Sequence, residues 1–210
     1  MLLLVAAVLA VVVQALVVQP FYIPSGSMER TLHGCPGCRG DRVLVDKLVY
    51  DRRTIARGEI VVFHGTGSFG DDPELPGAED FIKRVIGLPG DRVACCSVDG
   101  LVTVQPAGGD RALPLPESYL FEDDDQPFCA AGLGASLCPP GAEGVLVPPG
   151  RLWVMGDHRS RSADSRAHLG DAEHGTVPQD QVVGRAFAIV WPLERMSRLS
   201  VPEEFSLLKR

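Results

Sequence analysis

Lysine is scarce in this chain of 210 residues, and the scarcity limits the candidates for any chemistry that depends on an amine. Of the 20 basic side chains, 17 are arginine and only three are lysine, namely Lys47, Lys83 and Lys209. Basic residues are also outnumbered, because 27 acidic residues give the chain a net charge of −7. A protein that binds nucleic acid needs a basic face for the phosphates, so this charge balance argues against nucleic acid as a partner.

After residue 20 the sequence contains neither a long apolar run nor a long segment with helical periodicity. Short segments rich in Val, Ile and Phe recur instead, separated by Gly-Asp and Pro-Gly turn signals. They predict strands over residues 42–49, 59–63, 81–86, 92–98, 101–105, 151–155 and 185–191. The predicted fold class for residues 21–210 is mainly β, a partly open antiparallel β-sheet or barrel, with a loop-rich stretch over 106–150.

The one long apolar run stands at the start of the chain. Residues 2–18 contain Gln14 as their single polar member and no charge, and as a helix they would span about 26 Å at ~1.5 Å per residue. We therefore expect residues 1–20 to form one transmembrane helix, with Phe21 and Tyr22 at the membrane interface. A cleavable signal peptide is the alternative, but no basic segment precedes the run and no small-residue cleavage site follows it.

The side of the membrane on which the domain lies is predicted differently by two signals. Basic residues follow the apolar run, which by the positive-inside rule favours the cytoplasm. The cysteines favour the outside, because an even number behind a membrane anchor is typical of disulfides in an oxidising compartment. Cys35 and Cys38 are separated by two residues, Cys95 and Cys96 are adjacent, and Cys129 and Cys138 lie within the loop-rich stretch. Six cysteines permit fifteen disulfide pairings, which the sequence leaves open.

Among these cysteines, Cys129–Cys138 is the best disulfide candidate, because it would close an otherwise loose loop. Zinc is the alternative for the C-P-G-C motif of Cys35 and Cys38, since two cysteines at this spacing supply half of a common site. A second spaced pair is missing, however. A thioredoxin-like redox role would require a βαβ pattern around the motif, and none is present.

A candidate nucleophile lies a few residues after the apolar run. Ser27 belongs to the small, turn-prone sequence P-S-G-S-M of residues 24–28, which can present a hydroxyl sharply. A serine nucleophile needs a base to accept its proton. His158 beside Asp157 suggests a catalytic triad, but adjacent residues of an extended chain point in different directions, so Asp157 would not orient His158. The other four histidines are expected at the surface.

Lys83 is the stronger candidate for the base. It lies with Arg84 in the predicted strand 81–86, where alternation places the two side chains on opposite faces, so one of them points toward a more buried face. Burial disfavours the ammonium form and can leave a lysine neutral, whereas an arginine stays charged. A Ser27–Lys83 dyad is therefore chemically coherent. The alternative is that Lys83 reaches solvent along its own aliphatic stem.

The chain resembles bacterial type I signal peptidases, and four sequence blocks that occur in the family's order carry the resemblance. They are residues 23–28 (IPSGSM), 57–63 (RGEIVVF), 81–91 (FIKRVIGLPGD) and 154–159 (VMGDHR) with its continuation at 162–166 (SADSR). The arginine-rich composition is similar to that of actinobacterial members. Two positions depart from the family pattern: Arg30 replaces a proline, and His158 stands where many members carry asparagine. Neither departure is expected to touch the dyad.

The resemblance implies a serine endopeptidase with a Ser–Lys dyad, in which Ser27 is the nucleophile and Lys83 the general base. It further implies that Ser25 and the Ser27 backbone N–H form the oxyanion hole and that Ser162 orients the lysine amine. Supporting roles fall to Asp157, Asp164, Arg166 and Arg84. The residues that match the substrate-binding region are Phe21, Ile23, Leu32, Val62, Asp80, Phe81 and Ile82.

The implied substrates are exported preproteins, cleaved after small residues in an Ala-x-Ala pattern, and the other implied partners are the lipid bilayer and the secretion translocase. The resemblance implies no metal and no cofactor, a single-pass protein on the extracytoplasmic face of the cell membrane, and a variable insertion over 106–150. Self-cleaving repressor peptidases share the dyad but are soluble. A plasmid-type maturation peptidase, a non-catalytic membrane-anchored binding domain, and a redox or metal-binding module remain as alternatives.

Overall fold

Two antiparallel β-sheets make up most of the chain that the structure describes. The structure is a computed structural model that describes residues 17–65, 69, 80–95, 97, 99–121, 144–171 and 173–208. Its strands are β1 (Val18–Tyr22), β2 (Arg42–Asp46), β3 (Ile60–His64), β4 (Asp80–Gly87), β5 (Arg92–Cys95), β6 (Val102–Gln105), β7 (Leu113–Pro114), β8 (Val145–Leu146), β9 (Arg151–Met155), β10 (Val177–Pro178), β11 (Val182–Trp191) and β12 (Ser197–Arg198). The mainly β prediction is confirmed, and each predicted strand occurs, with ends that differ by a few residues.

The larger sheet carries Lys83, and the segment that holds Ser27 connects two of its strands. Its strands run in the order β1-β2-β11-β3-β4-β9-β10, with β12 beside β11. The central strand β3 has the sequence IVVFH, whose β-branched and aromatic residues suit a strand covered on both faces. Four of its five residues are buried. The neighbouring strand β4 is covered in the same way, so its two cationic residues both lie inside the protein.

The smaller sheet has the order β7-β6-β5-β8 and packs on the larger one. It draws two of its strands from the stretch 106–150, which the sequence suggested to be loop-rich. Leu115 and Val147 of this stretch are fully buried, in one core cluster with Trp153 of β9 and Phe205 near the end of the chain. The described parts of the stretch therefore help to close the core beneath β9.

The N-terminal boundary differs from the predicted anchor. Residues Val18–Tyr22 form β1 and pair with β2 in antiparallel register, from Val18 opposite Asp46 to Tyr22 opposite Arg42. A helix over 1–20 is therefore wrong for residues 18–20, because these backbone groups bond to β2. Phe21 packs against a buried apolar cluster, and Tyr22 is about half exposed. Residues 1–16 lie outside the described residues, and within the described ones no helix has the length and apolar character to cross a bilayer.

The predicted strand 42–49 is shorter than expected because a side chain ends it. Asp46 is the last residue of β2, and its Oδ1 accepts a hydrogen bond of 3.0 Å from the Leu48 N–H. This local bond turns the chain away from the sheet. The short helix α1 (Val49–Arg52) follows directly.

One disulfide has both of its cysteines among the described residues. Cys35 and Cys38 form a disulfide, with their Cα atoms 5.4 Å apart. His33 lies beside them, and the three potential ligand atoms fall within 4.8 Å of one another. Both sulfur atoms are already bonded to each other, so they are not available as thiolate ligands in this state. Cys95 is also disulfide-bonded, whereas the predicted pair Cys129–Cys138 lies outside the described residues.

Candidate active site

The candidate nucleophile is held in a tight turn between β1 and β2. We call residues 24–28 the nucleophile turn. The Glu29 N–H donates to the Gly26 carbonyl at 3.2 Å, and the Leu32 N–H donates to the Met28 carbonyl at 2.8 Å. The side chains of Met28 and Leu32 are fully buried and anchor the far end of the turn in the core. These contacts fix the position of Ser27, which is 5% exposed.

Lys83 meets Ser27 from the larger sheet. Its Nζ lies 2.9 Å from Ser27 Oγ, although 56 residues separate them in the chain. Lys83 is 3% exposed and Arg84 is 1% exposed. The alternative in which Lys83 reaches solvent is therefore wrong. Arg84 is buried as well as Lys83, because β4 is covered on both faces.

Two further serines lie near Ser27. Ser25 Oγ is 3.3 Å from Ser27 Oγ. The Ser162 hydroxyl is buried and reaches the site past Gly156, where a Cβ atom would stand 2.3 Å from Ser162 Oγ and 2.4 Å from the Ser27 carbonyl oxygen. Only glycine permits so close an approach. The structure thus brings together Ser25, Ser27, Lys83 and Ser162, all four of which the sequence had proposed.

A buried ion pair links β4 to the segment after β9. Arg84 Nε donates to Asp157 Oδ1 at 2.8 Å and Arg84 Nη2 to Asp157 Oδ2 at 2.5 Å. Thr31 Oγ1 donates to the same Oδ2 at 2.5 Å, which ties in the chain after the nucleophile turn. Burial alone would lower the pKa of Arg84, but the Asp157 carboxylate raises it above its usual value. Arg84 therefore stays charged and serves as a fixed cross-link directly beside Lys83.

The predicted pair of Asp164 and Arg166 lies in the same segment as Ser162, residues 162–166, which we call the wall of the site. Arg166 Nε and Nη2 both donate to the Asp164 carboxylate at 2.8 Å, and the Gly156 N–H donates to Asp164 Oδ2 at 2.9 Å. Burial alone would raise the pKa of Asp164, but the Arg166 guanidinium outweighs it and lowers that pKa. This one bidentate pair therefore fixes the segment just after Ser162 and ties it to Gly156.

A second buried pair was not predicted. Arg159 donates from both terminal nitrogens to the carboxylate of Glu117, and both side chains are almost fully buried. Tyr119 lies beneath the Arg84 guanidinium, with 4.3 Å between the guanidinium carbon and the ring centroid. Burial, and after it the Glu117 charge, raises the pKa of Tyr119. No local pattern signals a pair 42 residues apart, and Glu117 lies in the stretch that resembles no family block.

His158 contacts the nucleophile turn directly, which corrects the expectation that this departure does not touch the dyad. Its backbone N–H donates to the Ser27 carbonyl at 3.1 Å. Its ring Nδ1 lies 3.2 Å from the Gly26 carbonyl oxygen. The side chain is 8% exposed and stacks on Phe121, with ring centroids 4.3 Å apart.

The candidate substrate-binding residues divide by burial. Ile23, Leu32 and Val62 are buried together in one apolar cluster, against which the half-buried Phe21 and Ile82 pack. The two half-buried side chains are therefore the ones that a ligand could reach without rearrangement. Phe81 is buried in a separate aromatic group with Phe63 and Phe69. Asp80 is exposed at the start of β4 and pairs with His64 at 2.7 Å.

The start of β4 has a backbone edge without a neighbouring strand. On one side, residues 80–84 pair with β3. On the other side, β9 pairs with β4 only at Arg84, Val85 and Gly87. Among the described residues no strand pairs with this second side of residues 80–82. An extended peptide could therefore add to β4 immediately beside Lys83.

Comparison with known proteins identifies the family. The family profile described as signal peptidase, peptidase S26, matches residues 1–191. Signal peptidase I of Mycobacterium tuberculosis is 38% identical over 220 residues, covering 91% of this chain and 71% of the relative. The probable signal peptidase I of Mycobacterium leprae is 37% identical over 216 residues, covering 85% of this chain and 70% of the relative.

The solved structures include a related chain. A signal peptidase I of Enterococcus faecalis matches with a TM-score of 0.39 and 24% identity, covering 63% of this chain and 97% of that one. A serine nucleophile needs a base within hydrogen-bond reach, and the buried contact between Ser27 and Lys83 has that geometry. From the family match and the mycobacterial relatives, the chain belongs to the peptidase S26 family as a type I signal peptidase.

Proposed function

We propose that this protein cleaves signal peptides from exported preproteins by a Ser27–Lys83 dyad. The observation that carries the proposal is the 2.9 Å contact between Lys83 Nζ and Ser27 Oγ at a site where both side chains are almost fully buried. Burial disfavours the ammonium form of a lysine, and a neutral amine can accept the serine proton. The two atoms stand within the distance that proton transfer requires.

In the proposed reaction Ser27 Oγ attacks the carbonyl carbon of the scissile peptide bond while Lys83 Nζ accepts the Oγ proton. The resulting oxyanion accepts hydrogen bonds from the Ser27 backbone N–H and from Ser25 Oγ. Collapse of the tetrahedral intermediate breaks the C–N bond, and Lys83 returns the proton to the leaving amine. Water, deprotonated by Lys83, then attacks the acyl-enzyme and releases the signal peptide and Ser27.

The remaining side chains have positioning roles in this scheme. We assign Ser162 to orient the Lys83 amine, because its buried hydroxyl lies against Gly156 and the Ser27 carbonyl. The pairs Arg84–Asp157 and Asp164–Arg166 hold the two walls on which Lys83 and Ser162 stand. The first pair joins β4 to the segment after β9, and Asp164 joins its own segment to Gly156, so both fix separations that the mechanism requires.

The substrate is proposed to bind as an added strand along the second side of residues 80–82, with its small residues toward the half-buried Phe21 and Ile82. A short side chain such as alanine fits against a largely filled apolar surface, which accounts for cleavage after an Ala-x-Ala pattern. The residues that precede β1 are proposed to include a membrane anchor that places the domain on the extracytoplasmic face. Only a few residues would separate the nucleophile from the bilayer, near the emerging preprotein and the translocase.

The proposal is tested with a preprotein that contains an Ala-x-Ala site and with the full chain in detergent. We expect cleavage after the second alanine by the wild type and none by Ser27→Ala or Lys83→Met. The matched controls are Ser206→Ala, at an exposed serine, and Lys47→Arg, which should both cleave normally. Equal cleavage by Ser27→Ala, or cleavage at unrelated sites, would refute the assignment.

A further inference from the structure

His158 is buried against the nucleophile turn in a way that the dyad mechanism leaves unused. Three contacts define its place: its backbone N–H donates to the Ser27 carbonyl, its ring Nδ1 reaches the Gly26 carbonyl, and the flat side of the ring stacks on Phe121. A carbonyl oxygen only accepts hydrogen bonds. Nδ1 must therefore carry a hydrogen and donate it.

The Gly26 carbonyl belongs to the same peptide unit as the Ser27 N–H. That unit is planar, so fixing the direction of its C=O also fixes the direction of its N–H. The oxygen accepts from two donors, the Glu29 N–H at 3.2 Å and His158 Nδ1 at 3.2 Å. A carbonyl that accepts hydrogen bonds also polarises its own peptide unit, which strengthens the N–H as a donor.

We propose that His158 is a positioning residue for the oxyanion hole, acting through the Gly26–Ser27 peptide unit. The ring holds the carbonyl on one side of the unit so that the N–H on the other side points at the oxyanion. The backbone N–H of His158 holds the next carbonyl, so both peptide units that flank Ser27 are fixed by one residue. This inference rests on the proposed function, which assigns the Ser27 N–H to the oxyanion hole.

The proposal specifies which ring atom matters, and three substitutions separate the alternatives. His158→Phe keeps a flat ring for stacking on Phe121 but has no donor. His158→Asn carries an amide nitrogen at the same number of bonds from Cα as Nδ1. His158→Gln carries its amide nitrogen one bond further out, closer to the position of Nε2.

The measurements are kcat and KM for a peptide with an Ala-x-Ala site, together with the affinity for a peptide aldehyde of the same sequence. The aldehyde forms a tetrahedral adduct with a serine, so its affinity reports on the oxyanion hole. For His158→Phe we expect kcat to fall about 10- to 100-fold with KM within about twofold, because positioning of one oxyanion donor is lost. The aldehyde should bind more weakly by a similar factor.

His158→Asn should restore kcat to within a few-fold of wild type, and His158→Gln should not. Thermal unfolding of each variant establishes that the fold is retained. The proposal is overturned if folded His158→Phe keeps wild-type kcat, if Gln rescues as well as Asn, or if aldehyde affinity is unchanged while kcat falls. Absence of cleavage by the wild type would instead count against the proposed function itself, so the two failures can be distinguished.

Discussion

Neutralising Asp157 should destabilise this protein severely, and the structure sets the size of the effect. Asp157 is fully buried and accepts hydrogen bonds from Arg84 Nε, Arg84 Nη2 and Thr31 Oγ1. Asp157→Asn removes the charge but leaves the Arg84 guanidinium, which is 1% exposed and whose pKa is raised by its surroundings. The guanidinium keeps its proton and its charge, and at 1% exposure it is shielded from bulk water.

Breaking one partner of a buried ion pair typically costs about 3–5 kcal/mol. Asparagine can still accept one of the two arginine bonds, so we expect about 3 kcal/mol, from a total stability of about 5–15 kcal/mol. For a chain of this length that corresponds to a fall in melting temperature of roughly 6–12 °C. A matched control is Glu173→Gln, which breaks the pair of Arg151 and Glu173, whose side chains are 26% and 31% exposed. It should cost less than about 1 kcal/mol.

Urea unfolding of the full chain in detergent, followed by tryptophan fluorescence, measures both variants, since Trp153 is fully buried. Arg84→Met in the Asp157→Asn background removes the unpaired cation. The double variant should therefore be less destabilised than the sum of the two single variants by about 2 kcal/mol or more. Additive costs, or a cost for Asp157→Asn no larger than that for Glu173→Gln, would show that Arg84 is solvated and would refute the reasoning.

Three further outcomes are expected. Lys83→Arg should lower kcat by about 10²–10⁴-fold with the fold intact, because a guanidinium cannot accept the Ser27 proton; appreciable activity would exclude a neutral amine as the base. Gly156→Ala places a Cβ atom 2.4 Å from the Ser27 carbonyl oxygen, so we expect a loss of about 1–3 kcal/mol in urea unfolding and a lower kcat. The pKa of Asp164 is lowered in the folded state, so its contribution to stability is present above the ordinary carboxyl value of about 3.9 and is lost as the pH falls through the lower folded value. The free energy of unfolding of the wild type, measured as the pH is lowered, should show this loss. An equal fall in the free energy of unfolding of Asp164→Asn over the same pH range would contradict it.

The sequence was sufficient for the parts of the fold and site that repeat locally or match a family block. Alternation over residues 81–86 and the turn-prone residues 24–28 led to Lys83 and Ser27, and the structure places their reactive atoms in contact. The sequence pattern does not indicate how far each face of β4 is covered, because the burial of β4 depends on β3 and β9, which come from other parts of the chain. Alternation alone therefore leaves open which of Lys83 and Arg84 is the more buried, and the structure buries both.

The features that sequence reasoning missed depend on pairings without a local signal. Arg159 and Glu117 are 42 residues apart, and nothing in either segment indicates the other. The apolar pattern that predicts a membrane span over residues 1–20 also suits a strand that is paired along its length. It therefore does not distinguish β1 from the end of a helix. His158 was judged by its neighbour Asp157 in the chain, whereas its partner in space is Gly26, 132 residues away.

The scarcity of lysine has a consequence at the site itself. Three arginines are buried around the dyad, and each is paired with its own carboxylate, as Arg84 with Asp157, Arg159 with Glu117, and Arg166 with Asp164. Because a guanidinium keeps its charge at any physiological pH, these three arginines do not release protons during a reaction. Each pair has no net charge, so the three pairs add rigidity to the site without adding net charge. A lysine in one of these places would introduce a second amine able to lose its proton beside the first. In the proposed mechanism Lys83 is the proton-transfer group of the described site, and the three arginines hold the segments around Ser27 in place.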